Sequence, residues 1–149
     1  MSSLVFLQYL TTVFDNIDEA IILINVEPKD GFRLLMANES FFTKTGYTKE
    51  VIGDDIKDIV SPKGYAHLLR NYRKVVQTKK QVQYTQVYSM PIGQMHYSVK
   101  LIPIVSAIGE VVQIAGIVND ITEIEDLRQK MDRTTRTLDS VVGDLHITA

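Results

Sequence analysis

No cysteine occurs anywhere in this chain. That absence removes disulfides, thiolate nucleophiles, iron–sulfur clusters and most structural zinc sites, and it makes a reducing, cytoplasmic setting the default expectation. Tryptophan is absent as well, and only four prolines punctuate the chain. No apolar run approaches the ~20 residues that span a bilayer. The first residues have neither the basic start nor the small-residue cleavage site of a secretory signal. Charge is almost balanced, with 16 Lys and Arg against 18 Asp and Glu. Such a balance creates no field that would gather nucleic acid or an anionic membrane surface, so neither is expected as a partner.

Catalytic signatures are missing too. The eight glycines never form G-x-G-x-x-G or a phosphate loop ending in G-K-[ST]. No serine sits in G-x-S-x-G, and no H-E-x-x-H occurs. His67, His96 and His146 fall in three separate elements. Asp54, Asp55 and Asp58 could suggest a cation site, but Asp54 and Asp55 suit the cap and first turn of a short helix, whose dipole favours negative charge. No metal is expected. The basic run Arg70, Arg73, Lys74, Lys79 and Lys80 has no interleaved aromatics to stack bases and reads as a solvated helix face. An enzyme is not expected, and any catalytic effector would lie outside these residues.

What is present is organisation. The 149 residues suit one domain with an appended element. Over residues 1–17, Phe6, Leu10, Val13 and Ile17 recur at spacings of four and three, which predicts an amphipathic N-terminal helix. Ala20–Val26 and Phe32–Ala37 read as strands joined by the turn-forming Pro28-Lys29-Asp30-Gly31. Short helical pieces follow, and Ser61-Pro62 opens a longer helix on which Tyr65, Leu68, Leu69, Tyr72 and Val76 share one face. Three long strands then run over 81–90, 94–106 and 110–119, separated by tight turns at Gly93 and Gly109. The pattern is an α+β domain on one antiparallel sheet, covering 18–121.

Residues 122–149 predict one long helix. Ile124, Leu127, Met131, Thr134, Leu138, Val141 and Leu145 alternate three and four residues apart, a heptad seam that winds two helices into a coiled coil. A homodimer follows from it; the alternative is a helix packed on its own domain.

The run Met36-Ala37-Asn38-Glu39-Ser40-Phe41-Phe42, followed by Thr45-Gly46-Tyr47-Thr48, resembles the N-x-x-F…T-G-Y stretch of PAS domains. Gly116-Ile117-Val118-Asn119-Asp120-Ile121-Thr122-Glu123 is similar to that family's closing strand and D-I-T-E exit, and Pro103 sits where such domains often place a proline. The resemblance covers residues 8–123. It implies a five-stranded antiparallel sheet with helices on one face, flanked by N- and C-terminal helices and enclosing a ligand pocket. It also implies a sensory box of bacterial-type signal transduction, including two-component systems, feeding a kinase, cyclase or similar effector.

By comparison with the family, the pocket would be lined by Met36, Asn38 and Phe42 together with the inward parity of the last three strands: Tyr84, Gln86 and Tyr88, then Tyr97, Val99 and Leu101, then Ile114, Gly116 and Val118. The outer parity of the last strand, Ala115 and Ile117, would pack under the N-terminal helix. Three tyrosines and a glutamine in an apolar cavity suit a small polar or aromatic ligand; the alternative is a filled core without one. The identity of any cofactor stays open. Photoadduct flavin relatives need a cysteine, which this chain lacks, whereas other flavin binding survives. Haem relatives carry iron on a histidine of the longer helix, but His67 points away from the Tyr65–Leu69–Tyr72–Val76 face and into water, which disfavours haem. His96 has the opposite parity from Tyr97 and should face away from the pocket.

The exit Asp120-Ile121-Thr122-Glu123 marks a signal junction. Asp120 has Glu123 three residues on and Thr122 has Glu125, so two capping boxes compete for the helix start.

Overall fold

The computed structural model describes residues 3–148, with side chains described over 3–142. Helix α1 (Ser3–Asn16) leads into strand β1 (Ala20–Glu27), whose alternation buries Ala20, Ile22 and Ile24 on one face. Lys29 and Asp30 both take positive φ, 61° and 59°, in the tight connection to β2 (Gly31–Ala37). Helix α2 (Glu39–Thr45), a 3₁₀ turn (Lys49–Val51), α3 (Ile56–Ile59) and α4 (Pro62–Thr78) follow. Strands β3 (Val82–Met90), β4 (Gly93–Val105) and β5 (Val111–Asp120) form a meander, and α5 (Thr122–Thr148) leaves from the end of β5. The five strands make one antiparallel sheet in the order β2-β1-β5-β4-β3. Helices cover its inner face, where Ile24, Leu34, Leu101, Ile114, Val75, Tyr72 and Tyr97 form a dry core.

Two local features set which side chains reach that core. In the β1–β2 pair Leu23 opposes Met36 while Ile24 opposes Leu34, so Leu35 is the extra residue of a bulge. Phe32 and Leu34 point inward, and the bulge reverses the parity after them. Met36 therefore faces outward, 46% exposed, and not into the interior expected for it.

Helix α4 buries Gly64, Leu68, Tyr72 and Val75, with Ser61 accepting from the Gly64 amide as its cap. The buried face is turned by roughly 75° toward His67 relative to the Tyr65–Leu69–Tyr72–Val76 stripe, at about 100° per residue. His67 is consequently half-buried rather than fully in water, its ring 5.8 Å from that of Tyr84.

The terminal helices behave differently from the core. No residue of α1 is buried, and its packing falls chiefly on α2 rather than on the outer face of the sheet. Asn38 explains the placement, since its Nδ2 donates to the Phe14 carbonyl and pins the end of α1 beside α2. Beyond its first turn α5 leaves the domain. Ile124, Leu127, Met131, Leu138 and Val141 are all at least half exposed, so α5 does not pack them on its own domain. Leu145 lies outside the described side chains. No helix among the described residues is long and apolar enough to cross a membrane.

Candidate functional site

The interior cavity lies between β3–β4–β5 and the helical layer, with a volume of about 60 Å³. Tyr84, Tyr88, Tyr97, Val99 and Val118 line it from the sheet, joined by Ile22 and Leu34. The helical side supplies Phe41, Thr45, Tyr47, Leu68 and Tyr72. Those helical residues stand out in the sequence only as a motif and a stripe, with nothing local to say that they share a cavity with β3.

The T-G-Y stretch has a structural cause. Thr45 Oγ1 donates to the Phe41 carbonyl at 2.7 Å, and the Tyr47 amide donates back to Thr45 Oγ1. Gly46 closes α2 with φ 82°, and a Cβ there would stand 2.8 Å from the Ile92 amide nitrogen. Glycine alone combines that left-handed backbone with that approach. The turn aims Tyr47 at α3, where its hydroxyl donates to the Ile59 carbonyl at 3.1 Å.

The remaining expected pocket residues have other places. Asn38 is fully buried but serves the backbone: Oδ1 accepts from the Ile21 and Phe41 amides, and Nδ2 donates to the Phe14 and Glu19 carbonyls. Leu101 and Ile114 are fully buried beside the cavity without lining it. Met36 and Phe42 line an outer groove under α1. Gln86 points inward but lies against the start of α4, in a separate cleft.

The cavity's polar groups are phenols. Tyr84 and Tyr88 hydroxyls lie 3.0 Å apart in one hydrogen bond, which leaves one hydroxyl proton for a guest. Burial pushes both phenols well above their usual range, and it pushes Tyr97 up to about 12. Tyr97 donates to the Lys44 carbonyl at 2.9 Å, one of the orphan acceptors at the end of α2. Among the described residues, no carboxylate, histidine or lysine lines the cavity, and its polar side chains are hydroxyls.

Residues 18–123 match the family described as PAS domain. The chain belongs to the PAS domain family. Among solved structures it is similar to an RNA-binding Light-Oxygen-Voltage receptor, with TM-score 0.74 and 22% identity over 91% of this chain and 39% of that one. The chain therefore spans well under half the length of that receptor. It is also similar to the PAS domain of a protein from Colwellia psychrerythraea, with TM-score 0.66 and 21% identity over 79% of this chain and 98% of that one. A sensory box histidine kinase/response regulator from Burkholderia thailandensis aligns with TM-score 0.60 and 15% identity over 90% and 98%. These likenesses carry the fold, and no curated protein matches the chain.

Pockets for drug-sized ligands run to about 300–1,000 Å³, several times the volume here, and His67 packs on Tyr84 outside the lining. Among the described residues no three His, Asp or Glu side chains converge as a cation cage.

At the exit of the domain, Asp120 Oδ1 accepts from the Thr122 amide at 2.9 Å. The Thr122 hydroxyl does not cap a second helix start. It accepts from the His96 amide at 2.9 Å, while the Ile121 amide donates to the His96 carbonyl at 2.8 Å. Glu123 is exposed, and Glu125 pairs with Arg128 at 3.0 Å. The first turn of α5 is thus stitched sideways to β4.

Proposed function

We propose that this PAS domain is the sensory and dimerisation module of a bacterial-type signal-transduction protein. It takes a small ligand in the interior cavity and transmits the signal through α5 to a kinase, cyclase or similar effector. One observation carries this reading. Tyr97 lines the cavity, pairs across the sheet with Asp120, and is preceded by His96, whose backbone holds Thr122 and Ile121. A change at the tyrosines is therefore one residue away from the root of α5. The ligand class follows from size and lining: a few non-hydrogen atoms, largely apolar, with one acceptor for the spare hydroxyl of the Tyr84–Tyr88 pair. The apolar seam of α5 and the uncovered α1 give a second copy its docking surface.

A second reading, a ligand-free dimerisation or protein-docking module, is favoured by the small cavity volume. NMR titration of the full chain with short ketones and alcohols separates the two. The first reading expects saturable shifts at Tyr97 and Val118 accompanied by shifts at Thr122 and Leu127. Silence throughout the cavity supports the second reading. Shifts at Tyr97 with Thr122 unmoved would break the proposed transmission.

A further inference from the structure

The hydroxyl-bearing side chains lining the interior cavity are Thr45, Tyr47, Tyr72, Tyr84, Tyr88 and Tyr97. Most of their protons already have acceptors. Thr45 donates to the Phe41 carbonyl, Tyr47 to the Ile59 carbonyl and Tyr97 to the Lys44 carbonyl. One proton joins the Tyr84 and Tyr88 hydroxyls, and the other of that pair is free. Tyr72 differs from all of these. It is 2% exposed, with its ring edge-on to Phe32, and its hydroxyl makes no hydrogen bond among the described residues. A buried phenol ordinarily has a partner. Unlike the unpartnered oxygens of Gln86 and Ser106, the Tyr72 hydroxyl is not sealed by protein atoms. Its open surface lies in the cavity that Tyr72 lines.

Two free donors therefore border one small space that offers few acceptors. Thr45 Oγ1 already accepts the Tyr47 amide, and a phenol oxygen accepts weakly because its lone pair is drawn into the ring. Burial pushes Tyr72 well above its usual range, and charge on Tyr84 adds to the rise. For Tyr88 burial again leads, the Tyr84 hydrogen bond opposes it, and charge on Tyr72 adds to it. The three phenols thus stay protonated and share one electrostatic environment. Among the described residues no lysine, arginine or histidine lines the cavity, so an anion there would be buried without a counter-charge. The volume of about 60 Å³ admits a guest of about four non-hydrogen atoms, at ~15 Å³ for each.

A carbonyl oxygen has two lone pairs and no proton, which complements two donors. Given the ligand-binding reading above, on which this depends, we propose that Tyr72 and the Tyr84–Tyr88 pair select the ligand of this cavity. That ligand is a small neutral carbonyl compound, a ketone or aldehyde, whose oxygen accepts from the two free hydroxyls. An alcohol of the same shape brings a proton with only a phenol oxygen to receive it. A carboxylate of the same shape brings an unpaired charge.

Acetone tests this against two molecules of its own shape, 2-propanol and acetate. The full chain is titrated with each to about 50 mM, some tenfold above a ~5 mM dissociation constant. Tyr97, Val118 and the ¹³C carbonyl resonance of acetone are followed by NMR. Saturable acetone shifts are expected, with 2-propanol about tenfold weaker, the weight of one hydrogen bond, and no saturable shift from acetate. Tyr72→Phe keeps the ring against Phe32 and removes one donor. It should weaken acetone about tenfold and move the carbonyl resonance of bound acetone upfield, a signature that a purely structural role of Tyr72 would not produce. Should Tyr72→Phe fail to fold, the three molecules of one shape decide alone. Equal affinity for acetone and 2-propanol, saturable acetate binding, or acetone affinity and carbonyl resonance unchanged in Tyr72→Phe overturns the carbonyl assignment and leaves a ligand site standing. Silence at Tyr97 and Val118 toward all three removes the ligand reading itself, and the carbonyl assignment with it.

Discussion

On the inner face of the sheet Ile24, Val75, Leu101 and Ile114 are fully buried, whereas on α1 Leu4, Phe6, Leu7 and Val13 remain more than half exposed. Both sets are apolar and both lie on regular elements. The difference is that the inner set has helices folded over it by the chain itself, through the Asn38 hub and the Gly46 cap. Among the described residues, nothing of the chain covers the α1 set or the α5 seam. Apolar surface left in water at this scale marks an interaction face. The core should therefore respond to changes in chemistry and pH, and the terminal helices to concentration.

The largest expected effect sharpens this contrast through the buried phenols. Unfolded tyrosine titrates near 10, while burial holds Tyr72, Tyr84 and Tyr88 higher and Tyr97 at about 12. Their contribution is complete below pH 10 and is lost as pH rises toward 12, because the unfolded chain sheds protons that the folded chain keeps. One pH unit above the unfolded value costs about 1.4 kcal/mol per phenol, so Tyr72, Tyr84 and Tyr88 alone withdraw about 4 kcal/mol at pH 11. Urea unfolding against pH checks this, and Tyr88→Phe should flatten the dependence. A stability unchanged at pH 11 would mean that the phenols are not dry.

Asn38→Ala comes next. It strips Oδ1 from the Ile21 and Phe41 amides and Nδ2 from the Phe14 and Glu19 carbonyls. Unpaired buried backbone groups cost about 1–3 kcal/mol each; with partial rescue by water, about 3 kcal/mol is expected in denaturant unfolding. A loss under 1 kcal/mol would place the hub in solvent.

The outer region is tested by Leu127→Lys with Leu138→Lys. Charge in the seam should weaken the dimer at least a hundredfold, about 2.7 kcal/mol, as read by sedimentation. The sheet itself should keep its stability within about 0.5 kcal/mol, as exposed sites do. A wild type that is monomeric at tens of micromolar, or a double variant that still dimerises, breaks the comparison.

How legible each region is in the sequence follows the same division. The strands, the start of α5 and the inward parity of Tyr84, Tyr88, Tyr97, Val99 and Val118 are readable because alternation and heptad spacing are local. Met36 is misread because the bulge at Leu35 has no glycine or proline to announce it, and one extra residue exchanges faces. His67 is misread because Gly64 carries part of the buried face of α4, and a hydrophobic stripe gives no weight to a residue without a side chain. Asn38 reads as a pocket residue because its motif is known, while its four backbone partners lie up to 24 residues away. Thr45 and Tyr47 reach the cavity only after the chain has folded across β3 and β4.

The smallest effect tests the place where the two regions meet. Thr122 begins α5, yet its hydroxyl faces β4 and accepts the His96 amide. Thr122→Val keeps the shape and removes the acceptor. The lost bond is worth about 1 kcal/mol, small against whole-domain stability but within the 1–3 kcal/mol of typical couplings between sites. Asp120→Ala removes the carboxylate that accepts from the Thr122 amide, at a similar cost of about 1 kcal/mol. The two substitutions differ in kind: the first loosens α5 from the cavity strand, and the second frays the helix start without touching His96. Hydrogen exchange should therefore show faster exchange at His96 and the first turn of α5 in Thr122→Val, and in the first turn only in Asp120→Ala. In a full-length protein, Thr122→Val should alter output more than Asp120→Ala at matched stability. Equal effects would assign the junction to helix capping alone, and the stitch to β4 would then carry no signal.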